Sequence, residues 1–217
     1  MKAYRAVCFD FDYTLADATE SIVAGFRHAM TTMGYPKPER EAIRATIGYM
    51  LEDGYSILSG DNTPEGRERF RALYLEVALP IQLRGIPLFP GTHELLRGLQ
   101  ARGIKAGIVS SRRLPAIQST VEGAGLMDTL EFIIGGEHVS KPKPDPQGLL
   151  EAMRRIGASK PEFLFCGDTV LDAGAAQNAG CDFVAVLNGT TPAEDFAPYS
   201  PVYIASDLTD LARWLDK

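Results

Sequence analysis

Short apolar runs that alternate with helical patterns restrict this chain to a small group of folds. The runs are YRAVCF, IKAGIVS, LEFII, EFLFCG and CDFVAVL, and helical patterns separate the last four from one another. Runs of this kind form strands that are buried on both faces, and each crossover between parallel strands brings a covering helix. We therefore predict an α/β fold with a parallel sheet inside a three-layer α/β/α core.

The stretch from 18 to 86 has a different pattern, because its apolar residues recur at helical spacing throughout. A parallel crossover needs only one helix, whereas this stretch has room for three or four. We predict a core of residues 1–17 and 87–217 and an inserted α-helical cap domain of residues 18–86. The two apolar stripes of this stretch are Ile22, Phe26, Met30 and Met33, and then Phe70, Leu73, Tyr74 and Val77.

Helical stripes in the remaining chain are expected to pack against the sheet as core residues. The segment 206–217 reads as a closing helix with its apolar face turned inward. The stripes are Leu95, Leu96 and Leu99, then Leu149, Leu150, Met153 and Ile156, and finally Leu208, Leu211 and Trp214.

Composition and charge exclude several classes of partner. The 217 residues carry a net charge of -6, and no basic run is longer than two residues, which argues against binding nucleic acid or an anionic membrane. Cys8, Cys166 and Cys181 are too few and too irregularly spaced for a disulfide framework or a zinc site. No apolar stretch is long enough to span a membrane. We expect a cytoplasmic protein, either a monomer or a homodimer.

Polar side chains follow four of the predicted strands, at the edge where parallel α/β sheets bind their ligands. Because these strand ends meet at one edge, we expect the polar groups to form one site. They are Asp10 and Asp12 after the first run, Ser110 and Ser111 after the second, Lys141 in the loop SKPKPDP after the third, and Asp168 with Asp172 after the fourth.

The acids of this edge predict a metal. Carboxylates that converge without a cation would repel one another, and hard oxygen ligands favour Mg²⁺. The predicted ligands are Asp10, Asp12, Asp168 and Asp172. Asp10 can also attack a phosphoryl group covalently.

Phosphoryl transfer needs positioned positive charge and hydrogen-bond donors around the phosphate oxygens. Lys141 and Ser110 are the candidates for those two roles. The helix predicted to start near Arg113 would add its amino end, which favours an anion. These residues together predict a small-molecule phosphate substrate.

Four segments in this order, DFDYTLAD, GIVSS, SKPKPDP and CGDTVLDAGAAQNAG, resemble the signature motifs of the haloacid dehalogenase-like hydrolases. The segment PLFPGTHELLRGLQARGIKAGIVSS extends the resemblance to the branch that contains phosphoglycolate phosphatases. The resemblance covers nearly the whole chain. It implies a Rossmann-like core, a helical cap inserted after the first motif, and a magnesium-dependent phosphatase.

The resemblance also implies a role for each matching residue. Asp10 would be the nucleophile, Asp12 the general acid and base, and Ser110 the hydroxyl that binds phosphate. Lys141 would stabilise charge, Asp168 would bind magnesium directly, and Asp172 would support it through water. Lys143 would be a solvated neighbour of Lys141.

This chain departs from the family pattern at two places. Tyr13 stands where glycine is usual, so we expect its bulk at the junction of cap and core to affect the leaving-group pocket or cap closure. Ser110 and Ser111 replace the commoner threonine-asparagine pair, and Arg112 replaces a frequent lysine. Ser111, Arg112 and Tyr13 are therefore the candidate substrate-binding residues.

Several functions remain open on the sequence. A phosphoglycolate-like phosphomonoester is the first candidate substrate, and a pyrophosphatase, a sugar-phosphate phosphatase and a phosphoglucomutase-like enzyme are alternatives on the same scaffold. Two other functions are disfavoured. A dehalogenase would lack the second acid, which Asp12 supplies here, and a phosphonoacetaldehyde hydrolase would need a Schiff-base lysine in the cap, where the only lysine is Lys37, between two prolines. From a different class, a non-catalytic phosphate-binding module or phosphorylation switch stays possible.

Overall fold

The computed structural model describes residues 4–217, and its six strands form one parallel sheet in the order β3-β2-β1-β4-β5-β6. The α/β prediction is confirmed, and all five expected strands are present. The strands are β1 (Ala6–Phe9), β2 (Lys105–Val109), β3 (Phe132–Ile134), β4 (Phe163–Gly167), β5 (Asp182–Val186) and β6 (Tyr203–Ala205).

The sixth strand, β6, was not predicted. It has three residues at the sheet edge, and Tyr203 and Ile204 are only partly buried. A strand this short has no apolar run that separates it from a loop.

Nine α-helices lie in the described part of the chain. Helices α5, α6 and α9 cover one face of the sheet, and α7 and α8 cover the other. Helices α1 to α4, which we call the helical insertion, lie between β1 and α5. The helices are α1 (Thr19–Thr32), α2 (Arg40–Arg44), α3 (Leu51–Ser59), α4 (Pro64–Gln82), α5 (Thr92–Ala101), α6 (Leu114–Gly123), α7 (Gln147–Ile156), α8 (Val170–Ala179) and α9 (Leu208–Leu215).

Apolar packing holds the helical insertion together. Phe26 of α1 lies 5.0 Å from Phe70 of α4 between ring centroids, and Tyr55 of α3 stacks on Phe70 at 4.6 Å. All three side chains are buried, and rings of this size contribute much of the burial in a small core. The division into two domains at residues 18 and 86 remains a prediction.

One predicted core residue lies at the surface. Leu149, Met153 and Ile156 of α7 are buried, but Leu150 is 45% exposed. Leu150 follows Leu149 by one position, about 100° around the helix, and therefore leaves the buried face. None of the helices in residues 4–217 is both long enough and apolar enough to cross a membrane.

The sheet order explains where a site can form. Strand β1 lies between β2 and β4, with Phe9 beside Ile108 and Cys166. The residues that follow these three strands therefore emerge side by side at one edge. The helical insertion begins shortly after β1 and lies over the same edge.

Candidate active site

Three carboxylates meet where β1 and β4 end. Asp10 directly follows β1, Asp168 directly follows β4, and Asp172 lies in the first turn of α8. One oxygen from each lies within 4.8 Å of the others. Their exposed fractions are 1%, 2% and 0%, so water does not screen their repulsion.

The amino end of α8 holds Asp172 in place. Thr169 caps the helix, and its hydroxyl accepts a hydrogen bond from the Asp172 amide. The same hydroxyl donates to Oδ2 of Asp172 at 2.6 Å, and the Thr169 amide donates to that oxygen at 3.0 Å. This capping box leaves the other oxygen, Oδ1, free to face the site.

The structure places Lys143, and not the predicted Lys141, beside the acids. The Nζ atom of Lys143 lies 2.9 Å from Oδ1 of Asp10 and 2.5 Å from Oδ1 of Asp172. Its side chain is 7% exposed, whereas that of Lys141 is 74% exposed and lies 4.0 Å from Asp145. Each lysine precedes a proline, so the local sequence does not distinguish them. The path of the loop decides which one turns inward.

Burial and mutual repulsion shift the titration of these groups. Burial raises the pKa of Asp10 to about 6, with Lys143 opposing the shift and Asp172 and Asp12 adding to it. Burial, then repulsion from Asp172 and Asp10, holds the pKa of Asp168 well above its usual range. Burial alone would lower the pKa of Lys143, but Asp10 and Asp172 outweigh it and raise the pKa. Without a bound cation, repulsion between the buried carboxylates therefore makes the cluster electrostatically unfavourable.

This cluster fits a divalent cation. Three buried carboxylates face one buried ammonium group, so negative charge is in excess. Oδ1 of Asp10 also accepts no aligned hydrogen bond from the described residues, although it forms the ion pair with Lys143. A buried oxygen in that state costs free energy unless a further partner binds it. Hard oxygen ligands suit Mg²⁺.

Asp12 does not join the three acids. Its two carboxylate oxygens each lie 2.9 Å from Nε of Arg112, and both side chains are largely buried. The structure therefore does not support the expected metal ligation through the Asp12 carboxylate. The ion pair instead fixes Asp12 beside Asp10, facing the cavity between the sheet edge and the insertion.

The two serines after β2 have different partners. Ser110 is 6% exposed, and its hydroxyl accepts a hydrogen bond from the Arg112 amide at 3.3 Å. The Ser111 hydroxyl donates to the carbonyl of Gly48, in the loop between α2 and α3, at 2.9 Å. Ser110 thus stays at the sheet edge, whereas Ser111 connects the core to the helical insertion.

The amino end of α6 does not face an open anion site as expected. The amide of Leu114, its first residue, donates to both carboxylate oxygens of Glu137 at 3.1 Å. A carboxylate of the protein itself therefore occupies the position that favours an anion. The sequence offered no periodic signal for this contact, because Glu137 lies in the loop after β3.

Tyr13 does not line the cavity between the sheet edge and the insertion, so the structure does not support the expected contact with substrate. Its side chain is 2% exposed and is absent from the cavity wall. The hydroxyl shares a hydrogen bond with Thr19 of α1 at 2.8 Å and accepts another from Nε of Arg44 of α2 at 2.8 Å. Its φ of 59° is in the left-handed region, which is unfavourable for a bulky side chain. Tyr13 is therefore a link between the core and the insertion.

The loop after β5 contributes support that the sequence analysis missed. Asn188 donates its side-chain amide to the carbonyl of Thr14 at 3.1 Å, and Thr14 donates its hydroxyl to Oδ1 of Asp168 at 3.3 Å. Gly189 lies so close to Asp168 that a Cβ atom would collide with it. The strand-end rule applied to CDFVAVL would have identified this loop.

A cavity of about 570 Å³ lies between the sheet edge and the helical insertion, and we call it the chamber. Its core side includes Asp10, Asp12 and Ser110, and its other walls come mainly from the insertion. A cavity of this size admits a small molecule. Asp10 and Asp12 therefore face the chamber, and Lys143 and the acid cluster lie next to Asp10.

Comparisons with known proteins agree with this arrangement. The family model described as haloacid dehalogenase-like hydrolase matches residues 7–186, which is most of the chain. "Probable phosphatase IndB" of Dickeya dadantii is 30% identical over 94% of this chain and 90% of its own length. A phosphoglycolate phosphatase of Shigella boydii is 30% identical over 95% of this chain and 90% of its own length.

Solved structures show the same fold. A haloacid dehalogenase-like hydrolase from Bacteroides fragilis has a TM-score of 0.92 and 39% identity, covering 96% of this chain and 99% of its own. A hydrolase from Pseudomonas syringae has a TM-score of 0.85 and 27% identity, covering 98% of both chains. The motif order, the buried acids and these matches lead to one conclusion: the chain belongs to the haloacid dehalogenase-like hydrolase family.

Proposed function

We propose that this protein is a Mg²⁺-dependent phosphatase that hydrolyses small phosphomonoesters through a phosphorylated Asp10. The observation that carries the proposal is the contact set of Asp10, which lies buried between Lys143, the acid cluster and the chamber. Relatives named phosphatase and phosphoglycolate phosphatase support it. Phosphoglycolate is the first natural substrate to assay on that ground.

In the first step, a carboxylate oxygen of Asp10 attacks phosphorus, and the bond from phosphorus to the leaving oxygen breaks. Asp12 lies beside the chamber and donates a proton to that oxygen, so the leaving group departs as an alcohol. Lys143 stays beside Asp10 and offsets the negative charge of the transferring phosphoryl group. Ser110 is placed to donate its hydroxyl to a phosphate oxygen.

In the second step, water attacks phosphorus of the phosphorylated Asp10 and the acyl phosphate bond breaks. Asp12, now deprotonated, accepts the proton of that water, which returns it to its starting state. Asp10 is released as a carboxylate together with inorganic phosphate. Asp10, Asp168 and Asp172 would hold Mg²⁺, which supplies positive charge for the incoming phosphate when bound.

The test is phosphate release from p-nitrophenyl phosphate with Mg²⁺ and then with a chelator. We expect turnover that depends on the metal, and a loss of at least about 10³-fold in kcat for Asp10→Asn, because no other side chain replaces the nucleophile. Asp128→Asn is the matched control, since that carboxylate is 64% exposed and pairs with Arg97. Equal activity of Asp10→Asn and the wild type would disprove the proposal.

A further inference from the structure

The walls of the chamber on the side of the helical insertion are largely apolar. They are built from α1, from the loop between α2 and α3, and from α4. The apolar residues of that wall include Ile22, Phe26, Ile47, Met50, Leu75 and Leu79. A substrate that places phosphorus at Asp10 must extend its leaving group against this surface.

The charged residues of the chamber pair with one another. Arg112 binds Asp12, Nε of Arg71 lies 3.6 Å from Glu52, and Nε of Arg113 lies 3.9 Å from Glu137. The two outer pairs are longer and their arginines are partly exposed, so they are weaker than the pair between Arg112 and Asp12. Within residues 4–217, every arginine of the chamber thus has an acidic partner. A second anionic group on the substrate would have to compete with these acids for an arginine.

Three neutral polar side chains of the chamber are also engaged, whereas the hydroxyl of Tyr49 bonds to no described residue. Gln82 donates its side-chain amide to the Tyr74 hydroxyl at 3.1 Å, and Ser111 donates to the Gly48 carbonyl. The Thr46 hydroxyl donates to the carbonyl of Ile43 at 2.8 Å. A sugar-like leaving group with several hydroxyls would have to compete with these bonds for most of its partners.

From this chemistry we infer that the chamber selects phosphomonoesters whose leaving group is uncharged and mainly apolar, and larger than the two-carbon carboxylate of phosphoglycolate. The inference rests on the proposed function, because it assigns the substrate class of the same site. A volume of about 570 Å³ has room for a leaving group of several carbons beside the phosphate. Affinity then grows with the apolar surface that the substrate buries.

Binding of alkylphosphonates tests the inference without requiring turnover. Calorimetric titration with Mg²⁺ present would compare methyl-, butyl- and hexylphosphonate with 3-phosphonopropionate, which carries a carboxylate in place of an alkyl end. Each methylene buried in the chamber strengthens binding roughly three- to fourfold. We therefore expect hexylphosphonate to bind about tenfold more tightly than butylphosphonate. Butylphosphonate should bind at least about tenfold more tightly than 3-phosphonopropionate, because a carboxylate is costly to bury against an apolar wall.

A matched pair of variants locates the effect in the chamber wall. Leu79 and Leu73 are both partly buried leucines of α4, but only Leu79 lines the chamber. Leu79→Gln should weaken hexylphosphonate by about threefold or more while methylphosphonate is unchanged. Leu73→Gln should leave the chain-length series as it is in the wild type.

The outcomes separate the inference from the proposed function. Affinity that is independent of chain length, or tighter binding of 3-phosphonopropionate than of butylphosphonate, would overturn the inference even if phosphatase activity is present. A length-dependent series with no hydrolysis of any ester would preserve the inference and disprove the catalytic proposal. An equal loss in Leu79→Gln and Leu73→Gln would also overturn the inference, because the wall would not be the binding surface.

Discussion

At the carboxyl ends of β1 and β4, the charged side chains are buried and each has a specific partner, whereas the insertion side of the chamber presents apolar side chains, some buried and some half-buried. Asp10, Asp172 and Lys143 are each less than 10% exposed at the side chain. Leu75 and Leu79 are partly exposed and have no directional partner. Directional contacts at the sheet edge position a reaction, and a non-directional wall selects by size and polarity.

Among the tests of this comparison, the largest expected effect separates the two lysines of the same loop. Lys143→Met should lower kcat by about 10²- to 10³-fold, because it removes a preorganised charge from the attacked phosphate. Lys141→Met should stay within about twofold of the wild type, since its Nζ lies in solvent near Asp145. Steady-state kinetics with p-nitrophenyl phosphate, on proteins shown to be folded by circular dichroism, measures both.

The opposite ranking of the two lysine variants would contradict the placement of Lys143. Equal losses in both would show that the whole loop, not one ammonium group, is needed at the sheet edge. Either result would remove the basis for treating the buried edge as a set of specific pairs.

The next effect concerns the stability cost of the buried acids. Asp168→Asn should make the metal-free protein more stable at pH 7 by on the order of 2 kcal/mol, because it removes one of three repelling charges. The pKa of Asp168 is raised in the folded protein. As pH rises, the unfolded wild type therefore loses this proton at a lower pH than the folded protein does. The advantage of the variant is therefore absent below about pH 4 and grows with pH above it.

Thermal unfolding from pH 4 to pH 8, with chelator and then with Mg²⁺, measures this difference. Mg²⁺ should raise the Tm of the wild type by mass action and that of the variant much less, since a ligand is lost. The surface variant Asp128→Asn should follow the wild type in both series. A metal-free Asp168→Asn protein that is less stable than the wild type at pH 7 would contradict the repulsion argument.

The smallest effect tests the junction between the two regions. Tyr13→Phe should lower the free energy of unfolding by about 1–2 kcal/mol, because it removes the hydroxyl that bonds to Thr19 and Arg44. Tyr49→Phe is the control, since Tyr49 is 42% exposed and its hydroxyl bonds to no described residue. Urea denaturation measures both variants. A loss confined to Tyr49→Phe would refute the role of Tyr13 as a link.

Much of the fold was readable from the chain. Five of the six strands, the helical stripes and the edge that carries the acids follow from the apolar pattern, because burial on two sheet faces demands it. The three-residue β6 was missed because pairing with β5, not its own sequence, makes it a strand. Leu150 was wrongly predicted to be buried, because apolar spacing shows only roughly which face of a helix is buried, and packing in the folded protein sets its limits.

The sequence by itself indicated the family through its motifs, and it predicted the parallel core and the acids Asp10, Asp168 and Asp172 at strand ends. Apolar runs and the residues that follow them can be read along the chain. Only the tertiary structure decided that Lys143 and not Lys141 reaches them, that Arg112 binds Asp12, and that Tyr13 faces the insertion. Those choices depend on the path of loops between distant elements. A side chain two residues along such a loop can lie in a buried ion pair or in water, and the local sequence is the same in both cases.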